Sequence, residues 1–203
     1  MKKIIAASLL AFAAAGASAT ELVTNGSFED GGAGWSSTQT TGFAPVSAYI
    51  NCCGIDGSGY PGANGVAAAF FGWGQMTGGT IFQDLATVAG NTYTVNFSYG
   101  AISGGALQTM TAEALNGQSV LSSLGVSSYG NNNQATLVSP YSFTFVANSS
   151  TTTLLFRDTS LNTDSTDGML DLVSVTAVPE PETYAMLLAG LGLVGFAARR
   201  RKA

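Results

Sequence analysis

Histidine is absent from all 203 residues, and that bounds the chemistry at once. Ser-His-Asp and Cys-His catalysis lack their base, and most metal hydrolysis lacks its imidazole ligands. The side chains left to act are carboxylates, one cysteine pair and a set of aromatics. Ten acids lie between Glu21 and Asp171. They offer formal pairs such as Asp56 with Asp84, but a glycosidase needs two carboxyls facing one another across the scissile bond, and nothing in the spacing brings a pair together. A solvated acidic surface is the simpler use, so the chain reads as not an enzyme. Cys52 and Cys53 are adjacent in Asn-Cys-Cys-Gly. In an oxidising compartment they form either a vicinal disulfide or an intermolecular bridge, and two cysteines without histidine make no four-ligand zinc site.

A flat aromatic ring can cover the C–H face of a pyranose. Trp35, Tyr49, Tyr60, Phe70, Phe71 and Trp73 gather in the first half of the chain. Phe70 or Phe71 must point inward from its strand, and Trp35, close to the first strand, reads as a core plug. Tyr60 and Trp73 sit in glycine-rich surroundings that read as loops, so they are the glycan-binding candidates. Asn51, Asp56 and Asn64 would be their polar partners.

The elements that must position these residues are strands. Thr92–Tyr99 alternates Tyr93, Val95, Phe97 and Tyr99 with Thr94, Asn96 and Ser98, after the turn Ala89-Gly90-Asn91, which is the pattern of a half-buried antiparallel strand. Further strands are expected at 66–71, 80–85, 108–115, 141–146, 152–158 and 170–178, with 21–24 and 43–50 as weaker candidates. Residues 127–139, with three consecutive asparagines, read as a polar loop. Eight or nine short strands with glycine-rich turns and no long helical period predict an all-β protein, an antiparallel β-sandwich of jelly-roll type over residues 20–177.

The two ends are of another kind. Residues 1–19 carry Lys2 and Lys3, an apolar stretch from Ile4 to Ala15, and Ala17-Ser18-Ala19, the pattern of a signal peptide, helical and then removed. Residues 178–203 run from Pro179, Glu180 and Pro181 through an apolar segment, Tyr184–Ala198, to Arg199, Arg200, Arg201 and Lys202. The apolar segment is expected as a transmembrane helix over 184–198, with the arginines held in the cytoplasm. Gly190-Leu-Gly-Leu-Val-Gly195 matches a dinucleotide fingerprint by letter only, since no strand precedes it, and small residues in a membrane helix serve helix packing. With both ends set aside, Arg157 is the only cation left against the ten acids. Such a body will not bind nucleic acid or anionic lipid.

The ordered triplet of Pro179-Glu180-Pro181, apolar helix and Arg199-Arg200-Arg201 resembles the PEP-CTERM protein-sorting signal in every part. The resemblance implies processing by an exosortase, a membrane-embedded cysteine transpeptidase of Gram-negative bacteria that make exopolysaccharide. It implies a protein exported by its signal peptide, held transiently at the inner membrane, and then placed on the cell surface or released into an extracellular biofilm matrix. A second resemblance rests on Leu22-Val-Thr-Asn-Gly-Ser-Phe-Glu29 with Gly34-Trp35, on Ile81-Phe-Gln-Asp-Leu85, and on Leu170-Asp-Leu-Val-Ser-Val175. These are similar to carbohydrate-binding modules of the galactose-binding-like jelly-roll superfamily, although Leu172 departs from the usual closing pair. The functions implied are a structural or glycan-binding module. The alternatives are a polysaccharide-active enzyme and a pure scaffold.

The same resemblance implies a structural calcium. Terminal strands of a jelly roll commonly run side by side, which would bring Glu29 and Asp171 together. Asp171 shares the parity of Val173 and Val175, so a regular strand aims it inward, where a hard cation would offset its charge.

Overall fold

The computed structural model describes residues 20–37, 46–47, 67–71, 79–102, 104–130, 135–163, 166–179 and 181–200. Among the described residues ten strands and one helix run in order: β1 Ser36–Ser37, β2 Val46–Ser47, β3 Ala68–Phe71, β4 Thr80–Ala86, β5 Thr92–Ile102, β6 Leu107–Asn116, β7 Ser119–Tyr129, β8 Ala135–Val146, β9 Thr151–Asp158, β10 Asp167–Ala177 and α1 Pro181–Arg200. The strands form two antiparallel sheets, ordered β1-β4-β9-β6-β7 and β2-β3-β10-β5-β8. Residues 20–178 form one compact unit, and the C-terminal segment belongs to another.

Alternation builds the core. Tyr93, Val95, Phe97 and Tyr99 of β5 face Met110, Ala112 and Ala114 of β6 and Leu154 and Phe156 of β9, all buried. Phe97 meets Phe156 edge to face at 5.3 Å, and side chains of this size each contribute about 1.5–3 kcal/mol on full burial. Cross-strand pairs add to this: Tyr93 stacks on Phe145 at 5.3 Å and Phe97 on Tyr141 at 5.7 Å, both directly opposed in the β5–β8 ladder.

One expectation needs correction, and one is met. Residues 119–129 form a full strand, β7, paired along β6, and β8 already begins at Ala135, so 127–129 and 135–139 are strand where a loop was expected. A bulge explains the misreading. Ala114 pairs with Ser122 but Leu115 with Val120, so Leu121 is an extra residue, and the inward set Leu121, Leu124, Val126 breaks the period of two. Phe70 and Phe71 are both buried, at 5% and 4% exposure. Phe71 enters the core between the sheets. Phe70 lies on the opposite face with Met169, its ladder partner, where Ala68, Ser98 and Ile102 are buried as well. Of the weaker candidates, Glu21 makes an isolated bridge to Thr176, and 43–50 yields only the two residues of β2 among those described.

Candidate functional site

The C-terminal element is the helix α1. Pro181 opens it, a position where the missing N–H costs nothing, and Arg199 and Arg200 fill its last turn, where cations complement the helix dipole. Pro179 precedes it, while Glu180 and Arg201 fall outside the described residues. Leu188, Leu191, Leu193 and Val194 are exposed. The apolar run 184–198 rises only about 22 Å as a helix. Among the described residues no helix is long and apolar enough to cross a membrane.

At the start of the body, residues 21–35 form a turn-rich segment organised by two side chains. Asn25, with φ at +53°, donates through Nδ2 to the carbonyls of Gly31 and Ala33 and accepts the Asp30 amide. Its own carbonyl accepts Trp35 Nε1 at 3.0 Å. Trp35 is buried against Phe28 at 5.2 Å and Phe156 at 6.1 Å, as expected of a core plug. Gln83 of β4 holds the peptide of Thr24 from both sides and also donates to Gly34. Gly26 passes so close to β10 that a Cβ there would lie 1.9 Å from the Val173 carbonyl oxygen. The motif residues that carried the second resemblance are therefore parts of this construction.

Glu29 is exposed, and its Oε1 accepts the amide of Ala67 at 2.9 Å, at the threshold of β3. Asp171 is buried, with 1% exposure, and its Oδ1 accepts the Leu172 amide at 2.6 Å. The expected parity of Asp171 is corrected here. Asp171 pairs with Ser98 but Ser174 with Asn96, and the extra residue is absorbed by Leu172 at φ +55°. Asp171 thus shares the outer face of its sheet with Ser98 and Met169, while Leu170, Val173 and Val175 face the core. The β3–β10 ladder, extended by one pair beyond Leu170 and Ala69, sets Asp171 opposite Ala68, next to the amide that Glu29 holds. A hard cation between these two carboxylates would need further ligands from backbone carbonyls or water.

A second polar group lies inside the sandwich, and its members were not singled out as site residues from the sequence. Tyr99 projects from β5, Gln108 from β6 and Asp158 from the end of β9, each on the core-facing parity of its strand and each at most 2% exposed. The connection from β9 to β10 adds Ser160, Thr163 and Thr166, all buried; Asp167, which begins β10, has the outward parity of Met169 and Asp171. Asp158 Oδ1 accepts the Ser160 amide at 2.9 Å. Gln108 Nε2 donates to the Asn162 carbonyl at 2.9 Å, and Thr166 Oγ1 accepts the amides of Gly105 and Ala106. The Tyr99 hydroxyl lies over Gly168, where a Cβ would be 2.6 Å away. Burial, then the charge of Asp158, then Tyr141 push the Tyr99 hydroxyl far above its ordinary range. Burial and then Asp158 raise the Asp167 carboxyl to about 6. A signal for this group was readable: Gln108 continues the apolar parity of Met110, Ala112 and Ala114, and Asp158 that of Leu154 and Phe156.

Arg157, beside Asp158, is turned outward and meets Glu113 at 3.7 Å. Asp84 is exposed on β4 and accepts a hydrogen bond from Thr153. Asn51, Cys52, Cys53, Asp56, Tyr60 and Trp73 lie outside the described residues, as do Tyr49, Asn64 and residues 1–19. Among the described aromatics, Tyr129 on the edge strand β7 is 61% exposed, an available ring that an apolar-period reading of a serine-rich stretch passes over.

A model of the PEP-CTERM protein-sorting motif matches residues 177–202. No curated protein matches the chain by sequence. Among solved structures, TmCBM61 in complex with β-1,4-galactotriose is similar with a TM-score of 0.52 at 12% identity, over 78% of this chain and 99% of that one. The Stig cyclase Fisc from Fischerella sp. TAU, in complex with an indole compound, is similar with a TM-score of 0.54 at 19% identity, over 80% and 99%. Arabinose-bound MgGH51 α-L-arabinofuranosidase gives 0.52 at 11% identity, over 77% of this chain and 26% of that one. At such identities the likeness is one of fold, and that fold serves binding modules and enzymes alike. The chain thus carries a PEP-CTERM protein-sorting motif at residues 177–202, after an antiparallel β-sandwich whose fold resembles that of a carbohydrate-binding module and of enzymes alike.

Proposed function

We propose that the chain is an exported protein whose C-terminal tail is processed by an exosortase, and whose β-sandwich is a non-catalytic structural or glycan-binding module of the cell envelope or exopolysaccharide matrix. The match of residues 177–202 to the sorting motif carries this reading. The order of parts supports it: proline-glutamate-proline, then an apolar helix, then basic residues in its last turn. Before processing, α1 is held at the inner membrane, with local thinning and snorkelling of the arginines making up its short apolar length. The glycan-binding part is supported by the fold shared with TmCBM61, whose structure holds a galactotriose, and by a body of ten acids and one arginine that favours neutral sugars over polyanions.

Expression in an exosortase-producing bacterium and in the same strain lacking the exosortase tests the sorting reading. The full-length chain should accumulate in the inner membrane only in the latter, and equal processing in both strains would reject it. A polysaccharide panel tests the rest. Weak binding without turnover, reduced by Trp73→Ala at unchanged thermal stability, supports a glycan module. Turnover would make the protein an enzyme, and absence of binding would leave the scaffold.

A further inference from the structure

Among the described residues four strands end the two sheets, β1 and β7 in one and β2 and β8 in the other. Three of them are poor templates for a further strand. β1 and β2 have two residues each, and β8 carries Pro140, which has no amide to donate. β7 differs. Its eleven residues include no proline and no charged side chain, so it lacks the usual devices that keep an edge from pairing, apart from the bulge at Leu121 near its start.

The backbone of β7 shows which groups are on offer. Gly130 N donates to Ala106 O at 3.2 Å, just beyond the pairing of Tyr129 with Leu107. Hydrogen-bonded pairs alternate along an antiparallel ladder, so Leu124, Val126 and Ser128 face β6, while Ser123, Gly125, Ser127 and Tyr129 turn N–H and C=O to the open side. Tyr141 agrees with this: its hydroxyl reaches across from β8 and donates to Ser127 O at 3.2 Å. That carbonyl keeps its second lone pair. The core is also thinnest on this side, where Leu121 and Leu124 of β7 and Tyr141 and Phe143 of β8 pack against it only half-buried.

Charge selects the occupant. From Asn116 to Phe156, a span that holds both β7 and β8, the chain has no charged side chain, although its body carries ten acids and one arginine. The described acids stand on the opening segment and on β4, β6, β9 and β10. Two copies of so acidic a body repel one another, and least where both edges are uncharged. A sugar chain has no amides with which to continue a ladder, whereas a strand edge brought to itself by a two-fold axis is antiparallel and self-complementary.

We infer that β7 is the docking edge for a second copy of this chain, joining two five-stranded sheets into one across a β7–β7 ladder. The register that uses all four open residues and stops short of the bulge puts the two-fold axis at Val126. Gly125 of one copy then lies opposite Ser127 of the other, and Ser123 opposite Tyr129. Because β1 at the far end of the same sheet is short, the assembly closes as a dimer and does not run on into a fibre.

Sedimentation equilibrium of the full-length chain in density-matched detergent tests this, with charges placed on the exposed positions 123 and 129. Ser123→Glu with Tyr129→Glu, and Ser123→Lys with Tyr129→Lys, each set like charges opposite one another twice in the dimer. Ser123→Glu with Tyr129→Lys sets opposite charges there. Both like-charge variants should dimerise about tenfold more weakly than the mixed one. The Lys pair lowers the net negative charge, so its weakening separates the local ladder from overall repulsion, and circular dichroism checks that all three keep the fold. Equal dimerisation in the three variants would overturn the proposal and assign the contact to another surface, such as the exposed leucines of α1. A chain that stays monomeric up to about 0.5 mM would overturn it as well.

Discussion

Gln83 and Thr24, on β4 and in the opening segment, hold each other reciprocally: Gln83 Oε1 accepts the Thr24 amide at 2.7 Å and Nε2 returns a bond to the Thr24 carbonyl at 3.0 Å. A third bond, from Nε2 to Gly34 at 2.9 Å, fixes the far end of the same segment. One side chain thus stands in for a strand ladder where the first residues do not form one. Gln83→Ala removes all three bonds and leaves partly buried backbone groups unpaired, so the chain should lose about 2 kcal/mol. A melting temperature lower by about 5 °C is the expected reading.

Gly26 and Gly32 lie six residues apart in that segment, and substitution should separate them. A Cβ at Gly26 meets the Val173 carbonyl oxygen at 1.9 Å, and that backbone is itself held, since the Val173 amide donates to Gly26 O at 2.9 Å. At Gly32 no atom lies within 4 Å. Gly26→Ala should cost about 1–3 kcal/mol, and Gly32→Ala should leave chemical denaturation unchanged.

Asp167 makes stability depend on pH. Its folded carboxyl titrates at about 6 against an ordinary 3.8, raised by burial and by Asp158. Between these values the folded chain binds the extra proton, so stability is highest at the acid end and falls as pH rises through about 6. The charge it feels is that of Asp158. Urea midpoints in chelator, measured from pH 4 to 7, should decline over that window and flatten in Asp167→Asn. An identical decline in that variant would assign the effect elsewhere.

What the sequence made legible follows the regularity of the strands. Thr92–Tyr99 alternates without interruption and appears as β5, extended only at its far end. Ser119–Tyr129 escaped because the extra residue Leu121 breaks the period, and its serines mimic a loop. Asp171 was placed on the wrong face by the same kind of local event, the bulge at Leu172. The interior cluster depends on long-range pairing: Met110 opposite Asp158 is what sets Gln108 beside the β9–β10 connection, and no local pattern states that pairing. The sorting motif of the tail was legible because its three parts are consecutive and need no tertiary contact to be recognised, whereas the expected membrane span is not matched by any described helix long and apolar enough to cross.

The calcium implied for Glu29 and Asp171 remains a proposal of its own. Glu29 holds the amide at the threshold of β3, the strand that pairs with β10, and a cation bridging Glu29 and Asp171 would pin the opening segment to both strands. Calcium should raise the melting temperature of the chain and chelator should lower it. Glu29→Gln or Asp171→Asn should abolish the response. A response that survives both substitutions would place the ion elsewhere.

The central claim, that residues 177–202 address this protein for exosortase processing, is tested most directly by replacing Pro179, Glu180 and Pro181 with alanines and determining the mass of the C-terminal end in cell fractions. The apolar helix and the arginines remain, so export and membrane retention should persist, and the account predicts the full-length chain in the inner membrane with no processed form. Processed protein at its normal level in that variant would contradict it and reduce the tail to an ordinary anchor.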